Sequence, residues 1–244
     1  MNQESAEALR RILSYYQDLG IKDIYKREPA PAPESEAQPV VDAAPAPAAA
    51  PPPSREPEPA PLHPVLLEIP LPDVLPSDDT LAKIEADLAG CTRCRLSQGR
   101  RNIVFGVGNP NSPLVFVGEG PGEDEDIQGI PFVGRAGQLL TQMIENTARK
   151  EGMNLLRKDV YICNVVKCRP PNNRTPEADE MEVCGQFLAR QLEVIKPKAI
   201  CSLGGTATRA LLGKKEGVTK LRGQWHKWRN IPVMVTYHPS YLLR

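Results

Sequence analysis

The chain has 244 residues and no net formal charge, with 30 basic and 30 acidic side chains. That balance hides an asymmetry: residues 1–80 hold six basic against fourteen acidic side chains, and residues 81–244 hold twenty-four against sixteen. No run of about 18 apolar residues occurs, which excludes a membrane-spanning helix. The acidic start, Met1-Asn2-Gln3-Glu4, leads into an amphipathic pattern rather than a secretory leader, so a cytoplasmic protein with no membrane association is expected. Its six cysteines then belong in a reducing compartment, where metal or cluster ligation is favoured over disulfides.

In chain order, Leu9, Ile12, Leu13, Tyr16 and Leu19 fall on one face of a helix that Gly20 stops. Residues 1–28 therefore read as an N-terminal amphipathic helix whose apolar face docks on the folded domain or on a protein partner. Residues 29–76 hold 16 of the 26 prolines among Ala and Glu. Such a stretch has too few large apolar side chains to offset the entropy of ordering its backbone, and reads as a disordered linker. Residues 77–244 are long enough for one well-buried core. The basic excess of this part suits phosphate backbones; ordinary solvated surface is the alternative.

Within that domain, Ser77 with Asp78 and Asp79 is expected to cap a short helix carrying Leu81, Ile84 and Leu88, which stops at Gly90. Strands are expected at 113–118, 160–166, 199–203 and 232–236, with helices at 136–150, 176–195 and 206–212. This alternation predicts an α/β fold of three αβα layers, with helices on both faces of a central, mainly parallel, four-stranded sheet. Ligands of such folds sit beyond the carboxyl ends of the strands. The polar segments 119–126 and 237–240 each follow a strand, which puts them on one rim.

Cys91-x-x-Cys94 is a chelating pair, joined far downstream by Cys168 and Cys184 in polar surroundings. Four thiolates suit a structural zinc, which spacing alone favours, or a cubane with one Cys per iron. Cys163 and Cys201 lie in apolar runs and read as small buried hydrophobes. The turn Gly118-Glu119-Gly120-Pro121-Gly122 follows a strand but lacks the Lys-Ser/Thr ending of a nucleotide-binding loop, and the acidic residues 123–126 after it would repel a triphosphate.

Taken together, GEGPGEDED, PFVGRAGQLL, YICNVVKCRPPNNRTP and YHPSYLLR, in that order, closely resemble the family 4 uracil-DNA glycosylases, thermophile-type enzymes bearing a [4Fe–4S] cluster. The resemblance covers nearly all of residues 81–244. It implies a cluster on Cys91, Cys94, Cys168 and Cys184, with zinc as the alternative, and hydrolysis of uracil from single- or double-stranded DNA by a monomer. By the same resemblance Gly120 offers a backbone N–H to uracil, Phe132 stacks on the flipped base, and Asn164 reads it. His238 matches the donor to the departing uracil, Glu119 a residue that positions water, Glu125 a carboxylate at the rim. Ser240 and the loop 237–243 would lie against the minor groove or the opened stack. Two relatives of this pattern act otherwise. One is a non-catalytic iron–sulfur DNA-binding module, against which Asn164 and His238 argue. The other is a class whose histidine in an inserted basic loop traps the sugar covalently, and residues 169–176 here are short and hold no His.

Overall fold

The computed structural model describes residues 78–244. The expected N-terminal helix, the linker and a cap at Ser77 lie outside the described residues. Helix α1 (Leu81–Leu88) is capped by Thr80, whose hydroxyl accepts from the Lys83 N–H at 3.2 Å. Asp79 is occupied elsewhere, its carboxylate accepting from Arg190 of the longest helix at 2.7 Å.

Four parallel strands form the centre of the sheet, in the order β3 (Tyr161–Asn164), β2 (Leu114–Gly118), β4 (Ala199–Leu203), β6 (Ile231–Thr236). They are the four expected from the apolar runs, although β3 ends at Asn164 rather than at residue 166. Val165 and Val166 stay buried; their N–H groups donate to the carbonyls of Gly118 and Glu119 at 3.0 and 3.2 Å, bracing the turn that leaves β2. Two short antiparallel strands extend the edges to six: β1 (Val107–Gly108) on β3, and β5 (Trp225–Trp228) on β6. The second of these carries His226 and both tryptophans. Trp228 is buried while Trp225 is exposed, the alternation of an edge strand.

Period two assigns the faces. Val115, Val117, Cys163 and Ile200 point to one core, shared with α1 and with α4 (Ala178–Ile195) through Ile84, Leu88, Leu188 and Leu192. Phe116 and Ile162 point to the other, against Leu140 and Ile144 of α3 (Arg135–Lys150). Helix α5 (Gly205–Leu212) follows β4, and α6 (Val218–Leu221) leads toward β5. The result is the three-layer αβα arrangement expected from the alternation of elements.

The polar segments after β2 and β6 are not wholly irregular. Each contains a short helix, α2 (Glu123–Gln128) and α7 (Pro239–Leu242). The acidic run supplies the first turn of α2, where negative charge complements the amide ends. One of its members, Asp126, is buried and accepts from the Arg101 N–H at 2.9 Å.

Candidate active site

The carboxyl ends of β2, β3, β4 and β6 meet at a cavity of about 610 Å³ whose wall includes Glu119, Gly120, Glu125, Phe132, His238 and Ser240. All six were candidates from the sequence. Gly120 is pressed against Val166, and a Cβ there would come 2.7 Å from Val166 Cγ2. The turn therefore stays bare of side chain, leaving its backbone open to a close ligand.

Asn164 does not appear on the wall itself; it lies just behind it. Gly118 and Asn164 are register partners on the same face as Phe116 and Ile162. A Cβ on Gly118 would meet Asn164 Oδ1 at 2.4 Å and the Phe132 ring at 2.6 Å. The absent side chain thus leaves a niche between an amide and an aromatic face. Asn164 is 1% exposed, and its Oδ1 is buried without a hydrogen-bond partner among the described residues. Buried polar atoms are nearly always paired, so an orphan beside a cavity asks for a ligand to complete it.

Phe132 closes the niche from the other side, with φ at 54° in the left-handed region. Glu125 helps to hold it there. The Glu125 carboxylate accepts from the Gly122 N–H and is further bound by the N–H groups of Phe132 and Val133. Burial raises its carboxyl above the ordinary range, and those bonds oppose the rise. Glu125 therefore reaches the wall as a clip between two loops.

His238 stands 5.5 Å from Phe132, ring centre to ring centre. The imidazole caps α7: its Nδ1 accepts from the Ser240 N–H at 3.2 Å and lies 2.7 Å from Ser240 Oγ. An amide N–H can only donate, so Nδ1 carries no proton and the neutral ring holds its proton on Nε2. Burial pushes the His238 pKa down to about 4. At the rim, Tyr237 and Tyr241 stack at 4.9 Å, and the Arg222 guanidinium lies 5.0 Å over Tyr237.

The four candidate cysteine ligands gather on the opposite core, at the α1–α4 face. Arg100 donates to Cys168 Sγ at 3.3 Å and to the Cys91 carbonyl at 2.5 Å, and the Lys167 N–H donates to Cys184 Sγ at 3.2 Å. Burial pushes the Cys184 thiol up to about 12. Cys201 is also pushed up to about 12, by burial alone. Among the described residues no three His, Cys, Asp or Glu side chains converge on a point that one metal ion could share.

The comparisons with known proteins agree with this geometry. The Uracil DNA glycosylase superfamily matches residues 105–244. A type-4 uracil-DNA glycosylase of Thermotoga maritima is 54% identical over 156 residues, covering 63% of this chain and 78% of its own. One from Sulfurisphaera tokodaii is 47% identical over 173 residues, covering 68% and 76%. A type-5 enzyme of Pyrobaculum aerophilum is 37% identical over only 100 residues, 40% of this chain and 42% of its own. The chain belongs to the uracil-DNA glycosylase superfamily, in its type-4 branch.

In this type-4 chain several further residues shape the site in ways that their sequence does not reveal. Gly118 makes the niche. Gly137, inside α3, lets the helix run against the Phe132 backbone, since a Cβ there would fall 1.8 Å from the Phe132 carbonyl oxygen. Arg157 grips the same loop by donating to the Pro131 carbonyl at 2.8 Å. A glycine inside a helical pattern does signal a close approach, but what approaches is decided by the fold.

Proposed function

We propose that this chain extrudes uracil from DNA into the cavity and hydrolyses its N-glycosidic bond, giving free uracil and an abasic site and so initiating base excision repair. The observation that carries this reading is the unpaired Asn164 Oδ1 in a buried niche between Gly118 and Phe132. The Asn164 amide accepts from uracil N3–H through Oδ1 and donates to O4. Cytosine presents an amine and an unprotonated N3 instead, which leaves buried polar groups unpaired and is rejected. Phe132 stacks on the base, and the bare turn at Gly120 brings a backbone N–H to a uracil oxygen. His238 donates from Nε2 to the oxygen on which charge gathers as uracil departs. Ser240 fixes the tautomer that permits this. Glu119, on the wall, positions the attacking water.

The basic domain draws in single- or double-stranded DNA by neutralising phosphate, and the stacked Tyr237 and Tyr241 offer a platform to a base at the rim. No lysine is among the residues lining the cavity, so no Schiff base forms at the sugar and the enzyme is monofunctional. The family resemblance suits a monomer, and the cysteine usage suits the cytoplasm.

Cys91, Cys94, Cys168 and Cys184 would hold a [4Fe–4S] cluster. The donor set fits: four thiols around one core, with N–H groups donating to Cys168 and Cys184. Each thiolate of a cubane would bind a different iron, which matches one Cys per iron. Bound there, the cluster supplies a cross-link between the segment after α1, the loop after β3, and α4.

Base selection gives the test. Asn164→Asp lowers uracil release by roughly 10–100-fold, since a carboxylate cannot donate to O4 and faces it with repulsion; one buried hydrogen bond left unmade costs about 1–3 kcal/mol. Single-turnover kinetics on matched uracil and cytosine oligonucleotides measures it. An unchanged rate on uracil would remove Asn164 from recognition.

A further inference from the structure

Lys167 is completely buried, at 0% exposure. It lies on the loop after β3, away from the cavity wall, and both acceptors of its Nζ are neutral: the Asn164 carbonyl at 2.8 Å and Gln191 Oε1 at 2.6 Å. Gln191, itself buried on α4, donates in turn to the Phe105 carbonyl at 3.0 Å and to the Tyr161 hydroxyl at 3.2 Å. The Lys167 backbone is equally committed, its N–H to Cys184 Sγ at 3.2 Å and its carbonyl to the Val104 N–H at 2.8 Å.

Burying a lysine is costly, and a fold that needed only to fill this volume would use Met or Leu. What the amine does that a hydrocarbon cannot is bind the Asn164 peptide. β3 ends at Asn164, so its carbonyl stands where regular strand pairing gives out. The next two N–H groups are spent on Gly118 and Glu119. Lys167 loops back three residues to take up that carbonyl and anchors it to α4 through Gln191. Without that anchor, among the described residues only the Val165 N–H on the Gly118 carbonyl holds this peptide, and a shift of the backbone here would carry the Asn164 Cβ with it and displace Oδ1 from the niche beside Phe132. Displacements of about 1 Å at a reacting or recognised group are enough to cost on the order of 10²-fold.

We infer that Lys167 is a positioning residue for base selection, holding the Asn164 peptide so that its side-chain amide meets uracil. The inference rests on the reading of Asn164 as the uracil-recognising residue. It makes no contact between Lys167 and the base, and it ties the cysteine-bearing loop to recognition through backbone geometry alone.

A double-mutant cycle on the full chain tests it. Lys167→Met is measured in the wild-type and Asn164→Ala backgrounds, reading both the single-turnover rate on a uracil oligonucleotide and the affinity for free uracil by calorimetry. In the wild-type background Lys167→Met lowers the rate by about 10–100-fold, the range for partners that orient a working group, and weakens uracil binding in parallel. In the Asn164→Ala background it adds less than about 2-fold, because the group it positions is already gone. Gln191→Met, which removes one acceptor and leaves the Lys167 backbone intact, shows the same non-additivity at smaller size; it decides the matter if Lys167→Met does not fold. Equal losses in both backgrounds would overturn the inference and leave Lys167 serving only the fold. An Asn164→Ala protein with wild-type rate and uracil affinity would instead overturn the reading of Asn164 itself.

Discussion

Replacing His238 with Ala lowers the single-turnover rate of uracil release by about 10²–10³-fold, the range for losing one donor to a developing oxyanion, while DNA affinity hardly changes. Nδ1 of His238 is an acceptor for the Ser240 N–H, so the proton on Nε2 is fixed before substrate arrives. Burial pushes the His238 pKa down to about 4, and a neutral imidazole is what the enzyme presents throughout the physiological range. The pH dependence follows in sign. A free histidine titrates near 6.5, but the folded one stays neutral until the pH approaches 4. The rate contribution of His238 is therefore flat across pH 6.5 and lost only near 4, where a proton on Nδ1 would confront the Ser240 N–H. Stability moves over the same window. Below about 6.5 the unfolded chain takes up a proton that the folded chain refuses, so the fold weakens as pH falls from 6.5 toward 4. A limb centred on 6.5 in a single-turnover profile, absent in His238→Ala, would contradict this; so would a loss of DNA binding with an intact rate.

With the proposed cluster bound, substituting Cys168 or Cys184 with Ala is expected to bleach its absorbance and to cost upwards of about 4 kcal/mol of stability, the scale for losing a structural metal centre. Burial makes a bare thiolate at Cys184 unfavourable, with its thiol pushed up to about 12. Iron bonded to the sulfur would remove that penalty, and the Lys167 N–H, which already donates to Cys184 Sγ, would stabilise the charge that remains. Cys163 and Cys201 act as controls. Both sit within β-strands, and changing either to Ala opens a small cavity at about 1 kcal/mol but leaves the colour. Absorbance, iron content and denaturant midpoints of anaerobically purified variants measure these effects. Stoichiometric zinc in a colourless wild-type protein would contradict the cluster.

What the sequence disclosed depended on how loudly each element spoke. The four parallel strands are nearly continuous apolar runs, as strands covered on both faces must be, and their rim follows from chain order. β1 is two residues long, flanked and ended by Gly106 and Gly108, and carries no periodicity to read. β5 alternates only over Trp225, His226, Lys227 and Trp228, and its exposed half resembles a loop. α2 begins with four consecutive acidic residues, so no apolar stripe marks it. At the site, motif resemblance reached Phe132, Asn164 and His238, whose chemistry is carried by side-chain type. It assigned no role to Gly118 or Gly137, although both lie within the motifs, because their part is an absence of atoms next to residues distant in sequence. Lys167 was equally silent, because a lysine just before Cys168 and Arg169 reads as surface until the fold buries it.

The most direct measurement is the product of the wild-type protein on a DNA oligonucleotide carrying one uracil, offered as a single strand and as a duplex, with thymine and cytosine oligonucleotides alongside. The expected result is stoichiometric free uracil, an alkali-labile abasic site in an otherwise intact strand, and no release from thymine or cytosine. DNA bound by a fully iron-loaded protein with no uracil released from either form would contradict the assignment, and would leave a cluster-bearing DNA-binding module in place of an enzyme.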